Sequence, residues 1–300
     1  MVNKYRLTSD VYDREREEDK INPLKIYFLS VEGNATEVEY FREVSRNRKL
    51  LGIHSLVDVE ILGRGSKDTN SAPKQVIELL EEYIRLREKN AEDMIEDLPA
   101  AFKEKYPIEK IKQFLDDSSQ LTNRERNTFQ TELTKIGYDL SYRKYLRKYD
   151  SEYDEFCILI DRDSLTHSEA NMIQCIDYCR KKGYSCYIAN PCFEFWLLFH
   201  LADIKKEYGD RLNQIAENKK VSNHHTFVSM EVWKKAGHGK GMIHFSENYL
   251  PNVDKAIEQA KEFASNEDEL ISNIGCNLWK LLEAMRQFNP SHGESMEGIL

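Results

Sequence analysis

Two apolar runs that end in acidic residues stand out in the pattern of this chain. The runs lie at 25–31 and 156–160, and their β-branched and aromatic content predicts two buried strands. The acidic residues that follow them are Glu32, Glu37, Asp161 and Asp163. Ligands of an open α/β sheet bind outside the carboxyl ends of its strands, so these acids are expected to gather at one edge.

The rest of the pattern predicts strands that alternate with helices. The four predicted strands span 24–31, 54–62, 154–160 and 184–189. The helices that follow them are predicted near 36–49, 71–87, 168–182 and 192–201. This order predicts the α/β class, with a parallel four-stranded sheet flanked by helices. Gly183 should end the third helix, and Asn190 and Pro191 should cap and open the fourth.

Composition divides the chain into a core and three other regions. Residues 1–20 form a polar leader of mixed charge, and the core is expected to span 21–202. Within the core, 88–149 is charged and helix-prone without a strong strand pattern, which predicts a helical insertion. Beyond Asp203 the pattern is helical with polar loops, so 203–300 is predicted to be a helical C-terminal region without a convincing strand.

Charge and cysteine usage exclude several classes of protein. The net charge of −9 argues against a protein that coats nucleic acid nonspecifically, although it is compatible with an enzyme that has a local basic groove. No apolar stretch approaches the ~20 residues of a membrane helix, and the polar start is unlike a secretory signal. The six cysteines lack C-x-x-C spacing and are expected in the core. A reducing cytoplasm is the expected compartment.

The acidic residues predict a metal site. Mg²⁺ takes one or two protein carboxylates and keeps waters that phosphate oxygens can displace, and two such ions can activate water and stabilise a leaving oxygen. Glu32, Asp161 and Asp163 are the expected ligands of Mg²⁺ or Mn²⁺, and Glu37 could lean back from the next helix. Gly33 permits a tight turn close to a phosphate. Alternatively, Glu37 is one of the acids that favour the first turn of any helix.

Other polar residues are weaker candidates. Glu194 sits among large apolar residues, where it must face either the open edge of the sheet or a basic partner. Arg64 and Lys67 follow the second strand and could meet a phosphate of the substrate, although a solvated loop is the commoner outcome. His200 is expected to pack in the core rather than bind a ligand. Arg162, between the two aspartates, should point away from them on an extended chain.

Three stretches of the chain carry a family resemblance. They are 31–41 (VEGNATEVEYF), 160–163 (IDRD) and 190–200 (NPCFEFWLLFH), with a weaker echo at 273–282. On these stretches the sequence resembles the RloB-like family of phage-defence proteins, also called the AbiLii type. The resemblance spans most of 24–290 and leaves the leader and the insertion outside.

This resemblance implies a Toprim-like fold, the metal-binding α/β domain of topoisomerases, primases and overcoming-lysogenization-defect nucleases. In that superfamily the glutamate after the first strand and the aspartate pair after the third handle Mg²⁺. By position these are Glu32, Asp161 and Asp163 here. Glu37 resembles the second glutamate of the nuclease branch but lies one residue further along. Related systems couple such a subunit to a neighbouring-gene ATPase of the AAA or ABC type, which is an expected partner beside nucleic acid and a second copy of the chain.

Several functions compete on these patterns. The leading hypothesis is Mg²⁺-dependent hydrolysis of RNA or DNA in an abortive-infection response, and its expected catalytic residues are Glu32, Asp161, Asp163, Glu37 and Glu194. The alternative is a non-cleaving Toprim-like scaffold or sensor that binds an ATPase or nucleic acid. A nucleotide-sugar transferase also places D-x-D after a strand but does not account for the Glu-Gly-x-x-Thr-Glu element. A haloacid-dehalogenase-type phosphatase would need Thr or Val where Leu165 stands, so that class is excluded.

Overall fold

The computed structural model describes residues 23–33, 35–62, 72–88, 91–117, 121–135, 153–163, 167–238 and 243–290. The chain divides into two compact units. The larger unit comprises Glu17–Ile61, Asn70–Ile77 and Ser151–Leu300. The smaller unit comprises Met1–Arg16, Leu62–Thr69 and Glu78–Asp150.

The described residues contain a five-stranded sheet. Its strands are β1 Lys25–Val31, β2 Val57–Leu62, β3 Glu155–Asp161, β4 Ser185–Asn190 and β5 Gly275–Cys276, in the order β2-β1-β3-β4-β5. β3 is parallel to both β1 and β4, with Val31 opposite Leu159 and Asp161 opposite Ala189. β1, β3 and β4 therefore end at the same edge of the sheet. The predicted α/β class, with a mostly parallel sheet flanked by helices, is confirmed.

The fifth strand corrects the prediction of four strands and of none beyond Asp203. β5 has two residues and pairs antiparallel with β4. A segment this short has no hydrophobic period to detect. Gly275 allows β5 to approach the backbone at Ala264 closely, because a Cβ on residue 275 would lie 2.1 Å from the Ala264 oxygen. The finer likeness of this sheet to a Toprim domain stays a prediction.

The helices fill the sequence between and after the strands. In chain order the described α-helices are α1 Thr36–Arg46, α2 Pro73–Glu88, α3 Ala91–Asp97, α4 Ala100–Lys105, α5 Ile108–Asp117, α6 Asn123–Lys135, α7 Glu169–Lys182, α8 Phe193–Leu201, α9 Ile204–Tyr208, α10 Leu212–Glu217, α11 Phe227–Ala236, α12 Phe245–Asn248, α13 Val253–Ala260 and α14 Leu278–Gln287. Short 3₁₀ segments lie at Gly209–Arg211, Leu250–Asn252 and Glu269–Ile271. Among the described helices, none has both the length and the hydrophobicity that crossing a membrane requires.

α7 ends where its glycine predicts. At its start the Ser168 hydroxyl oxygen accepts the Asn171 N–H. At its end Gly183 takes a left-handed φ of 73°, where an L side chain would be strained. The N–H groups of Gly183 and Tyr184 donate to carbonyls of the last turn. The predicted stop at Gly183 is confirmed.

The start of α8 differs from the prediction that Asn190 caps it. Asn190 is the last residue of β4, and its side-chain N–H donates to the Leu270 carbonyl at 2.7 Å. Cys192 occupies the N-cap position without a side-chain capping bond. The first helical N–H, from Phe193, instead donates to Oδ1 of Asp161 at 2.8 Å. A carboxylate on a neighbouring strand thus replaces the local cap, and no local sequence pattern reveals such a partner.

α8 is apolar apart from Glu194 and His200 because other elements pack around it. It contacts β4, β5, α11 and α13, and Trp196 is fully buried. His200 is also buried, with Nδ1 donating to the Trp196 carbonyl at 3.0 Å and Nε2 accepting from the Tyr40 hydroxyl at 3.1 Å. Burial lowers the pKa of His200 to about 3. His200 is therefore a neutral core residue, as predicted.

The smaller unit has a core of its own, built by α3 to α6. The rings of Phe114 and Phe129 stack with centroids 5.3 Å apart, and the Tyr106 ring lies 4.5 Å from that of Phe129. The Tyr106 hydroxyl donates to Glu132 at 2.7 Å. The limits 88–149 of the insertion stay a prediction, since 136–152 lie outside the described residues.

Candidate functional site

Glu32 follows the last residue of β1 and connects two strand ends. Its N–H donates to the Leu159 carbonyl of β3 at 3.1 Å, and its Oε2 accepts the Asp161 N–H at 3.0 Å. The Glu32 side chain is only 14 % exposed. These bonds hold the carboxylate of Glu32 beside the end of β3.

Glu37, in the first turn of α1, folds back toward β1. Its Oε1 accepts the Gly33 N–H at 3.1 Å, and the residue is buried. A Cβ on residue 33 would lie only 2.1 Å from Oε2 of Glu37. Glycine at this position therefore leaves the space that the carboxylate occupies, and Glu37 lies at the strand end where the sequence analysis expected it.

Asp161, the last residue of β3, is the centre of an acidic cluster that also contains Glu32, Glu37 and Glu194. Burial raises the pKa of Asp161 well above its ordinary value, and the other three carboxylates raise it further. The N–H of Phe193 opposes this rise by bonding the charged form. Negative charge is therefore concentrated in a poorly solvated site, which favours a proton or a cation.

Asp163 is fixed at the start of the loop that follows β3. Its N–H donates to the Pro191 carbonyl and its own carbonyl accepts the His167 N–H, both at 2.9 Å. Asp163 is half-buried. Arg162 is buried and donates from Nε and Nη1 to backbone carbonyls at 2.6 and 2.7 Å. Its guanidinium therefore bonds the loop after β3 and the 3₁₀ segment Glu269–Ile271, in line with the expectation that it points away from the aspartates.

Glu194, in the first turn of α8, belongs to the acidic cluster and also lines a small pocket. The pocket has a volume of about 20 Å³, room for roughly one water molecule. Its polar lining consists of Thr36, Glu194, His224, His225, Ser229 and His238, and we call it the histidine pocket. The histidine pocket and the acidic cluster thus share the side chain of Glu194.

Comparison with known proteins decides the family of this chain. The family model described as RloB-like protein matches residues 27–285. This chain belongs to the RloB-like family. The match includes every member of the acidic cluster and of the histidine pocket, and it confirms the resemblance seen in the sequence. No curated protein and no solved structure matches the chain.

Histidines near this RloB-like site are not among the site residues predicted from the sequence. His167 is buried, and its Nε2 lies 3.4 Å from Oε1 of Glu32. His224 and His225 line the histidine pocket, and Nδ1 of His225 lies 3.5 Å from Oγ of Ser229. The adjacent pair of histidines in a polar loop was a visible signal. The sequence does not reveal the pocket itself, because the pocket forms from segments far apart in the chain.

The residues expected to hold a metal and a phosphate are only partly brought together in this RloB-like chain. Within the described ranges, no group of three or more His, Cys, Asp or Glu side chains has the spacing of a metal site. All six cysteines are buried and free, as their apolar settings predict. Arg64 and Lys67 lie outside the described residues. The acidic cluster offers carboxylate oxygens, the donor type that Mg²⁺ prefers.

Proposed function

We propose that this RloB-like protein is a Mg²⁺- or Mn²⁺-dependent nuclease that hydrolyses phosphodiester bonds of RNA or DNA. The observation that supports it is the convergence of Glu32, Glu37 and Glu194 on Asp161 at the carboxyl edge of the sheet. This edge is where open α/β sheets bind their ligands. The resemblance to phage-defence proteins supports a role as the effector of a cytoplasmic abortive-infection system, with an ATPase from a neighbouring gene as its partner.

A divalent cation fits the chemistry of the acidic cluster. Asp161 is half-buried beside three further carboxylates, so a hard cation would relieve their mutual repulsion. Glu32, Asp161 and Asp163 would hold the ion, and Mg²⁺ commonly needs only one or two carboxylates from the protein. When bound, such an ion polarises a phosphoryl oxygen and lowers the pKa of a bound water.

The other two carboxylates have separate roles in this proposal. Glu37 is held in place by the Gly33 N–H and adds to the charge that attracts the cation. Glu194 faces both the acidic cluster and the histidine pocket. In this proposal it would accept the proton of an attacking water, with the substrate phosphate between the acidic cluster and the histidine pocket.

The test is cleavage by the purified full-length chain, with and without the ATPase encoded beside it. Cellular RNA and plasmid DNA are incubated with Mg²⁺ or Mn²⁺, and wild type is compared with Glu32→Gln and Asp161→Asn. Glu155→Gln is the matched control, since Glu155 begins β3 at its opposite end and pairs with Lys25 at 2.6 Å. We expect cleavage that both site variants lose and the control keeps. Intact DNA, tRNA and mRNA under every condition would contradict the proposal.

A non-cleaving scaffold or sensor is the second candidate, and one observation favours it. Glu32 and Asp161 each already accept a backbone N–H, so the fold itself uses part of the bonding capacity of their carboxylate oxygens. In that case the acidic cluster would support binding of an ATPase or of nucleic acid without hydrolysis. Asp163→Ala separates the two candidates. Loss of phage defence while the complex with the ATPase still assembles would exclude the scaffold.

A further inference from the structure

Trp233 is an exposed aromatic side chain beside the histidine pocket. It is 47 % exposed, and it is the aromatic member of the large apolar side chains that the described residues leave exposed. The ring centroid of His225 lies 6.1 Å away, at an interplanar angle of 42°. His225 also lines the histidine pocket. We call the rings of Trp233 and His225 the aromatic ledge, and the ledge continues into the pocket.

The aromatic ledge is supported by a well-bonded backbone. Thr226 caps α11 with a reciprocal pair of bonds, in which its side chain accepts the Ser229 N–H and the Ser229 hydroxyl accepts the Thr226 N–H. The His225 carbonyl accepts the Val221 N–H at 2.9 Å. Rings on a fixed backbone lose little conformational entropy when a ligand stacks on them.

The segment that carries the ledge is basic, although the whole chain has a net charge of −9. Between 219 and 238 there are four lysines and three histidines against one glutamate. Lys219, Lys234 and Lys235 each pair with a glutamate, although the side chains of Lys219 and Lys234 are 70 % and 56 % exposed. Lys220 is exposed. The positive charge of Lys220 therefore remains to complement a phosphate backbone.

We propose that the aromatic ledge and the histidine pocket bind an unpaired nucleotide of a single-stranded nucleic acid, next to the acidic cluster. The base would stack on Trp233 and His225, while the lysines follow the phosphates. Glu194, shared by the pocket and the cluster, would then face the adjacent phosphodiester. This inference rests on the proposed nuclease function and names its substrate class.

An unpaired base fits this surface better than a duplex does. The faces of paired bases are covered by their neighbours, so a protein ring reaches them only after unstacking. Stacking on aromatic side chains beside basic residues is a common way to hold single strands, and it tolerates any sequence. The pocket of about 20 Å³ is too small for a base. The base therefore lies on the ledge, and the pocket meets its polar edge or its sugar.

Fluorescence anisotropy of the full-length protein in EDTA measures binding without metal-dependent cleavage. The probes are a labelled oligouridylate, a labelled oligothymidylate and a labelled blunt duplex of the same length. Trp233→Ala and Trp233→Phe are compared with Ile173→Ala, a control on α7 that removes an apolar side chain of the same 47 % exposure. We expect both single strands to bind more tightly than the duplex. Trp233→Ala should weaken single-strand binding roughly tenfold, whereas Trp233→Phe and Ile173→Ala should stay near wild type.

Several results would overturn the inference. They are equal single-strand affinity of wild type and Trp233→Ala, preference for the duplex, or no single-strand binding by wild type. A wild-type oligomer that Trp233→Ala dissociates would also overturn it, because the ledge would then be a protein contact. If thermal unfolding shows that Trp233→Ala is not folded, Lys220→Glu takes its place with the same expected loss. Single-strand binding through Trp233 without cleavage in Mg²⁺ would contradict the nuclease proposal alone.

Discussion

Gly33→Ala should move the Glu37 carboxylate out of the acidic cluster while the protein stays folded. The added methyl would lie 2.1 Å from Oε2 and 2.3 Å from Oε1 of Glu37, whereas ordinary contact begins at 3.4 Å. The carboxylate must therefore retreat by roughly 1 Å or more. Glu37 is long and flexible, and Gly33 has no left-handed φ that an alanine would strain. The expected loss of unfolding free energy is about 1 kcal/mol, the contribution of the Gly33 N–H bond.

The effect on the proposed activity should be much larger than the effect on stability. A misplacement of about 1 Å among the groups that position an active site lowers an enzymatic rate on the order of a hundredfold. Urea unfolding and the rate of metal-dependent cleavage measure the two effects on the same samples. Gly209→Ala is the control, because nothing lies within 4 Å of the added methyl.

A double-mutant comparison shows whether Gly33 acts through Glu37. If it does, Glu37→Gln should lower the rate by itself, and adding Gly33→Ala should lower it little further. A folded Gly33→Ala protein that cleaves at the wild-type rate would refute a role for the position of Glu37. Loss of several kcal/mol of stability would refute the view that the carboxylate can simply move aside.

Three further predictions concern stability. Because the pKa of His200 falls from 6.5 to about 3 on folding, the folded state binds fewer protons than the unfolded state at acidic pH. Urea titrations should therefore show a loss of roughly 1 kcal/mol of unfolding free energy between pH 7 and 5.5. His200→Gln should remove this contribution. Asp161→Asn removes a charge among three carboxylates, so it should stabilise the EDTA-treated protein at neutral pH, and a lower urea midpoint would count against the acidic cluster. Gly275→Ala places a methyl 2.1 Å from a backbone oxygen, so calorimetry should show a loss of about 2 kcal/mol or more of unfolding free energy. A melting temperature equal to that of Gly209→Ala would disprove the close approach.

The central strands could be predicted because buried strands have a recognisable apolar sequence pattern. β1, β3 and β4 are covered on both faces, so they read as continuous apolar runs. The stop of α7 at Gly183 was also visible, because a left-handed residue has a local signature. β5, with two residues, is too short to show such a pattern. Its place depends on Gly275 approaching Ala264, which is a property of the assembled chain.

The acidic cluster could be predicted in part from the position of acids after strands. The order of the strands brings Glu32 and Asp161 together, and this follows from parallel pairing of β1 with β3. The capping of α8 by Asp161 could not be predicted, since Phe193 finds its acceptor on another strand. The contact of His167 with Glu32 likewise depends on how the loop after β3 folds back.

Binding of Mn²⁺, followed by electron paramagnetic resonance, tests most directly whether the acidic cluster holds a divalent cation. Wild type is titrated beside Glu32→Gln, Asp161→Asn and the control Glu155→Gln, with their folding checked by circular dichroism. We expect a saturable site in wild type and in the control, weakened at least roughly tenfold in both cluster variants. Equal Mn²⁺ affinity in all four proteins, or no saturable site in wild type, would contradict this expectation.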